Sequence, residues 1–559
     1  MVHVDESEKQ PKLVPISVEE LRRKVRRAQG PNNKGILNQF IDIGTKVFES
    51  PTSMQPPTGE AKKEIQAKLV EERLSREQLG KLLWDAADIL RGAVRPERYG
   101  SYVLPLLFFK RLSDVYLEEY EETLKKFGSE EVARKRFHRV LIPEDCLWDD
   151  VRRQSQNVGQ KLNDVLAKIA KANPRLEGVI NRADFNKQDD LPQDRLIRLI
   201  EHFSQLRLGN KNVEPDMLGN VYEYLLKQFN EEAPARAGEF YTPREVVRVM
   251  VEILDPDEGY EIYDPCCGSG GMLIVSHYHL AKKEKKPEKL FLYGQEINGD
   301  TWAIAMMNVM LHDMEAEIHQ GDTFADPKFL DGSTLKRFDV AIANVMWNQD
   351  GYRNLMESDR FGRFVHGSAP DSSADWGWIQ HMLASLKPNG RMGIVLDQGA
   401  LFRGGAEGQI RKKVIDEDLI ECVVALPEKI FYNTGAPGCL IFLNKNKLQE
   451  RKGKVLFIYA AKGFEKLKNM NRLRDEDIEK IVKPCREFKD VAKYARVIAL
   501  DKIKENDYNL SVTRYVDVFE EDEHIDVAQV WLELKNLEAE RQTIHDKVRG
   551  YLKELGYEQ

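Results

Sequence analysis

Cysteine is scarce in this 559-residue chain: six residues, scattered except for the neighbours Cys266 and Cys267, with no Cys-x-x-Cys pair. That pattern excludes a zinc ribbon and a disulfide framework, so the expectation is a cytoplasmic protein without a metal centre. Long apolar runs are missing as well. None approaches the roughly 18 residues of a membrane helix, and the start Met1-Val2-His3-Val4-Asp5-Glu6 lacks a secretory-leader pattern. No Gly-x-x-x-x-Gly-Lys-Ser/Thr loop occurs, which leaves no sign of a phosphate-loop motor. A nucleophile elbow is excluded because Cys267 precedes Gly268-Ser269-Gly270 where a glycine is needed. Positive charge is not in excess either. At a net charge of −8, attraction to nucleic acid must come from a local basic surface or a second subunit.

With 42% hydrophobic and 31% charged residues, the chain can build two to four ordinary globular domains. Residues 1–60 read as a polar arm, broken by Pro11, Pro15, Pro31, Pro51, Pro56 and Pro57, with one helix over 18–28. From 61 to 235 helical periodicity dominates: Leu82, Leu83, Ala86, Ile89 and Leu90, then Leu104, Leu107, Phe108, Leu112 and Val115. Between 236 and 445 short apolar runs at 260–263, 291–295, 338–343, 392–396, 420–426 and 439–443 alternate with helical stretches. That is the pattern of an α/β domain with a parallel sheet and crossover helices. A mixed, charged region spans 446–520. In the tail, 521–559, Val527, Val530, Leu534, Leu537, Ile544, Val548, Tyr551 and Leu555 follow steps of three and four, broken only at Arg541. This seam suits a helix that pairs with another, either from its own chain or from a partner.

The richest stretch is Asp264-Pro265-Cys266-Cys267-Gly268-Ser269-Gly270-Gly271, a glycine-rich turn between a strand and a helix. Such turns bring bare N–H groups close to a ligand at the carboxyl end of a parallel strand. Two acids follow in register. Glu296 ends the next strand, placed to accept from ribose hydroxyls. Asp322, followed by Thr323, comes after a third strand and could accept from an adenine amino group. Each alone could be a solvated strand end; three acids in register are harder to ascribe to chance. A dinucleotide would want Gly-x-Gly-x-x-Gly without a preceding carboxylate. Asp264 suits a cationic, amine-bearing ligand instead, and so points to S-adenosylmethionine.

The strand 338–343 runs into Asn344-Val345-Met346-Trp347-Asn348. With this segment the chain resembles the modification subunit of type I restriction–modification enzymes, which are DNA adenine-N6 methyltransferases. The resemblance runs from about 75 to the C-terminus. It is carried by Leu83-Trp84-Asp85-Ala86-Ala87-Asp88-Ile89-Leu90, Gly238-Glu239-Phe240-Tyr241-Thr242-Pro243, the turn 264–271, Gly294-Gln295-Glu296, Leu386-Lys387-Pro388-Asn389-Gly390-Arg391, Cys422-Val423-Val424-Ala425-Leu426-Pro427 and Asn506-Asp507-Tyr508-Asn509-Leu510.

The resemblance implies a Rossmann-like, mostly parallel seven-stranded methyltransferase sheet. It implies Phe240, Tyr241 and Thr242 beside the methionine end of S-adenosylmethionine, Asp264 and Gly268 beneath it, Glu296 on the ribose and Asp322 at the adenine. Pro265, Cys266, Ser269, Gly270, Thr323 and Asn344 complete the cofactor set. It also implies a helical domain that clasps DNA, a separate specificity subunit docked on the C-terminal helix, a second copy of this chain, and restriction subunits as optional partners. Double-stranded DNA is an expected partner, and a membrane is not.

The family's tetrad is Asn, Asp or Ser, then Pro-Pro, then an aromatic; here both prolines are replaced. The chemistry shows what must survive. The N6 lone pair of adenine is delocalised, and two acceptors on its hydrogens, Asn344 Oδ1 and the carbonyl of Val345, draw it toward a geometry that can attack a sulfonium methyl. Trp347 can stack on the flipped base, worth roughly 1–3 kcal/mol. Losing two prolines forfeits about 0.4–1 kcal/mol each of preset backbone, so a working site is expected. The alternatives are a degenerate scaffold that only binds cofactor and DNA, and a methyltransferase acting on RNA or protein.

Overall fold

The computed structural model describes residues 76–232, 242–518 and 527–555, apart from 137, 188, 432, 433 and 469. The arm 1–60 with its helix over 18–28 lies outside the described residues, as do Phe240 and Tyr241.

The helical region holds α1 (Arg76–Leu90), α2 (Tyr99–Phe127), α3 (Val158–Ala172), α4 (Gln193–Phe203) and α5 (Pro215–Glu232). The apolar spacing read from the sequence becomes burial. Leu83, Ala86 and Leu90 of α1 and Leu104, Leu107 and Phe108 of α2 are buried in one core, with Leu82, Ile89 and Leu112 packed against it.

After α6 (Arg244–Leu254) the chain alternates: β1 (Glu261–Asp264), α7 (Gly271–Lys282), β2 (Phe291–Glu296), α8 (Gly299–Leu311), β3 (Glu317–Gln320) and β4 (Phe338–Asn344). Then come α9 (Asp375–Ala384), β5 (Leu386–Asp397), α10 (Gly405–Asp416), β6 (Ile420–Ala425), β7 (Gly438–Asn444), β8 (Lys454–Tyr459), α11 (Asp475–Glu487) and β9 (Ala495–Ala499). These strands form one nine-stranded sheet in the order β9-β8-β6-β7-β5-β4-β1-β2-β3. β7 runs antiparallel to β5 and β6, and β9 antiparallel to β8; the remaining pairs are parallel.

The expected seven strands are therefore extended by two. β8 pairs parallel to β6, and β9 closes that edge. Both come from the region read as mixed and charged. The apolar core of β8, Val455–Ile458, is buried although charged residues flank it.

Both faces of the sheet are covered. Along β4 the side chains alternate: Val340 and Ile342 enter the core shared with the helical region, while Ala341 and Ala343 enter a second core with α9 and α10. Period-two alternation with both faces buried is what parallel strands require. It also explains why the runs read from the sequence are continuously apolar. The helical region thus shares its core with one face of the sheet.

The tail forms α12 (Val527–Glu554). Val530, Leu534, Leu537, Ile544, Val548 and Tyr551 on this helix are all exposed. No helix among the described residues is long and apolar enough to cross a membrane.

Candidate active site

The site grows from the ends of β1, β2 and β4, where parallel strands stop and their connections diverge. β1 ends in Asp264, and the chain turns through 265–270 into α7. The turn needs glycine because Gly268 and Gly270 take φ of 54° and 81°, a region costly to residues with a Cβ. It is pinned on several sides. Cys267 N–H donates to Gln295 O at 2.9 Å and Gly270 N–H to Cys267 O at 2.8 Å. The buried Asn308 donates from Nδ2 to Ser269 O at 2.9 Å. Thr323 Oγ1 donates to Pro265 O at 2.6 Å.

The acids stand around this turn. Asp264 is buried and accepts from Cys266 N–H at 3.1 Å. Burial, with Glu296 nearby, pushes its carboxyl up to about 8 despite that N–H. Glu296 accepts from Gly268 N–H at 3.0 Å through one oxygen and from Asn298 N–H at 2.8 Å through the other. Asp322 Oδ1 caps the following turn, accepting from Phe324 and Ala325 N–H at 2.8 and 3.2 Å. The thiols of Cys266 and Cys267 are pushed well above their ordinary range by burial, so neither is an activated nucleophile.

Two adjoining cavities share Cys266, Gly268, Ser269 and Asn344. The larger, about 150 Å³, is also lined by Pro265, Glu296, Asp322 and Thr323. The smaller, about 30 Å³, has Thr242, Asp264, Arg244 and Glu223 in its wall. Asn344 stands at the junction. Its Nδ2 donates to Thr242 Oγ1 at 3.0 Å, while its Oδ1 is buried with no hydrogen-bond partner. A buried acceptor left empty costs free energy comparable to a lost hydrogen bond unless a ligand fills it.

The other two residues of the tetrad reading are placed differently. The Val345 side chain is buried in the second core, so only its main chain is available to a ligand. Trp347 is half-buried and meets Phe431 edge to face, ring centres 5.0 Å apart at 76°; its neighbour Met346, and not Trp347 itself, lines the larger cavity.

Several lining residues were not picked out from the sequence. Ile297, exposed directly after Glu296, offers an apolar floor; its position beside the acid was the available signal. Arg244 follows Thr242-Pro243 and was equally findable. Gln349 and Tyr352 reach the larger cavity through an irregular loop and are joined at 2.9 Å. No local pattern announces them.

This donor set fits S-adenosylmethionine. A buried carboxylic acid that a cation would ionise, a strand-end glutamate for vicinal hydroxyls, and an apolar shelf for a purine lie in one cleft.

Comparison with known proteins agrees. Residues 213–524, more than half of the chain, match the model of the N-6 DNA Methylase family, and residues 79–203 match the HsdM N-terminal domain. The chain is 37% identical over 513 residues to the type I restriction enzyme MjaVIII methylase subunit of Methanocaldococcus jannaschii, covering 87% of this chain and 86% of that one. It is 32% identical over 421 residues to the HindI methylase subunit of Haemophilus influenzae, covering 72% and 93%. Among solved structures, a type I restriction–modification methyltransferase subunit from Streptococcus thermophilus superimposes with a TM-score of 0.71 at 30% identity, over 80% of this chain and all of that one. The chain belongs to the N-6 DNA methylase family, as a type I modification subunit: an adenine-specific DNA methyltransferase that uses S-adenosylmethionine.

Proposed function

We propose that Asn344, Val345 and Trp347 carry methyl transfer to N6 of an adenine turned out of duplex DNA. Asn344 Oδ1 and the Val345 carbonyl accept from the exocyclic amine and localise its lone pair. Trp347, braced by Phe431, offers the base an aromatic face. S-adenosylmethionine, when bound, supplies an electrophilic methyl on a sulfonium. Thr242, Asp264, Pro265, Cys266, Gly268, Ser269, Gly270, Glu296, Asp322 and Thr323 hold it, with Phe240 and Tyr241 assigned from the resemblance. No strong base is needed, since the product proton leaves after transfer. The observation that carries this reading is the partnerless, buried Oδ1 of Asn344 at the junction of the two cavities.

The active assembly in this reading pairs two copies of the chain with one specificity subunit that chooses the DNA site. α12 is the docking element, the helical region clasps the duplex, and restriction subunits join as further partners. The test is mass analysis of nucleosides from unmethylated DNA incubated with the reconstituted complex. N6-methyladenine is expected from the natural chain, and none from Asn344→Ala, which still binds cofactor. Full transfer by Asn344→Ala removes Asn344 from the mechanism.

A further inference from the structure

We infer that Asn348 is a positioning residue that fixes segment 344–347, clamped by two carboxylates that a single guanidinium joins; the inference rests on the proposed roles of Asn344 and Val345.

Neither proline nor glycine occurs in Val345-Met346-Trp347, so the sequence itself does not preset the backbone that must aim an amide and a carbonyl at one nitrogen. The restraint comes from one residue further on. Asn348 takes φ of 54°, a left-handed conformation that asparagine tolerates better than most residues. Its N–H donates to Asp375 Oδ1 at 2.9 Å, and its side-chain Nδ2 donates to Asp397 Oδ2 at 2.9 Å. The two acceptors belong to different elements: Asp375 opens α9, and Asp397 ends β5. Asn344 pairs in register with Val395, so β5 continues two residues past the end of β4 and delivers Asp397 alongside the segment.

Arg403 makes the acceptors rigid. Its guanidinium binds Asp375 Oδ2, both oxygens of Asp397 at 3.0 and 3.1 Å, and Glu407 Oε2 at 2.6 Å. Charge-assisted bonds of this kind are shorter and stronger than neutral ones. Glu407 is held in turn by Ser373 Oγ at 2.9 Å. The next residue is tied down as well, since Gln349 O accepts from Ala374 N–H at 2.8 Å. The segment is therefore fixed at one end by β4, in its middle by the buried Val345 side chain, and at the other end by Asn348. Between these ties the Asn344 amide and the Val345 carbonyl are held in place, and Met346 lines the larger cavity.

The test compares Asn348→Ala with Asn348→Gly in the full chain and in the reconstituted complex. Asn348→Ala loses both the Asp397 bond and the tolerance for positive φ. Its single-turnover rate of N6-methyladenine formation should fall about tenfold or more, the scale of a small misplacement of reacting groups. Cofactor affinity should stay unchanged, and the melting temperature should fall only slightly, as expected for a Cβ placed in the left-handed region. Asn348→Gly keeps the N–H to Asp375 and the left-handed backbone but gives up the Asp397 bond, and should lose less of the rate than Asn348→Ala. In the chain alone, hydrogen exchange of peptides covering 344–352 should speed up in the alanine variant. Unchanged exchange there, or equal losses in both variants accompanied by weaker cofactor binding, would overturn the inference. Absence of N6-methyladenine from the natural complex would instead sink the proposed chemistry, and the exchange result would still decide the clamp.

Discussion

Asp264 is where cofactor binding should show its dependence on pH. Its carboxyl is pushed up to about 8 by burial, so near neutrality the ligand-free protein carries it mostly protonated. A cationic ligand favours the carboxylate, and binding then releases a proton. Affinity for S-adenosylmethionine should climb by up to about tenfold per pH unit below 8 and level off above it. Stability of the ligand-free chain runs the other way. A carboxyl whose folded value is raised contributes most below the ordinary carboxylate range, and that contribution is lost as pH rises through 8. The thermal shift given by the cofactor should therefore be larger at pH 8.5 than at pH 6. Calorimetric titration across that range checks this, with Asp264→Asn as the control that flattens the profile. A flat profile in the natural chain would remove Asp264 from the cofactor site. At the same scale, Trp347→Ala should slow methyl transfer and leave cofactor affinity intact, because Trp347 is in the wall of neither cavity. The stacking at stake is roughly 1–3 kcal/mol, and a nucleoside assay against a cofactor titration separates the two effects.

Among the elements, the turn between β1 and α7 shows what the fold asks of its glycines. At Gly270 a Cβ would meet only ordinary contacts, the nearest being Val309 Cγ2 at 3.6 Å, so the cost of Gly270→Ala is conformational. A left-handed residue with a Cβ loses about 1–2 kcal/mol. The urea midpoint should fall without a change in slope, and cofactor binding should weaken because Ser269 and Gly268 are displaced with the turn. An unchanged midpoint would mean that the turn relaxes to another conformation at no cost. This element was legible in the sequence because glycine spacing and strand-end acids are local signals. The six strands from β1, β2 and β4 to β7 were legible for a related reason: burial on both faces leaves continuous apolar runs. β8 was hidden by its charged setting, and β9 by an edge position that leaves only one of its five residues buried. Asn348, Gln349 and Tyr352 were illegible as parts of a site. The partners of Asn348, Asp375 and Asp397, lie 27 and 49 residues away in the chain, and Gln349 and Tyr352 reach the cavity only through an irregular loop.

For the whole molecule, the outstanding fact is a long helix with its apolar seam in water. α12 spans 28 residues, and Leu537 and Ile544 are each about 60% exposed. Surface of that kind gains roughly 25 cal/mol for each Å² removed from water, and isolated monomers seldom leave such a stripe uncovered. The sheet already has both faces covered and the helical region shares its core, so the seam is spare apolar surface whose spacing suits an α-helix rather than a strand. A partner that supplies such a helix would bury it at little cost in ordering, because α12 is already formed. Aspartate at Leu534, Leu537 and Ile544 should then abolish co-purification with the specificity subunit. Binding of S-adenosylmethionine to the isolated chain should be untouched, since that cleft is built from β1, β2 and β4. Analytical ultracentrifugation of the mixture reads the first outcome and calorimetry the second. A complex that stays intact with three buried charges on the seam would move the docking surface elsewhere on the chain.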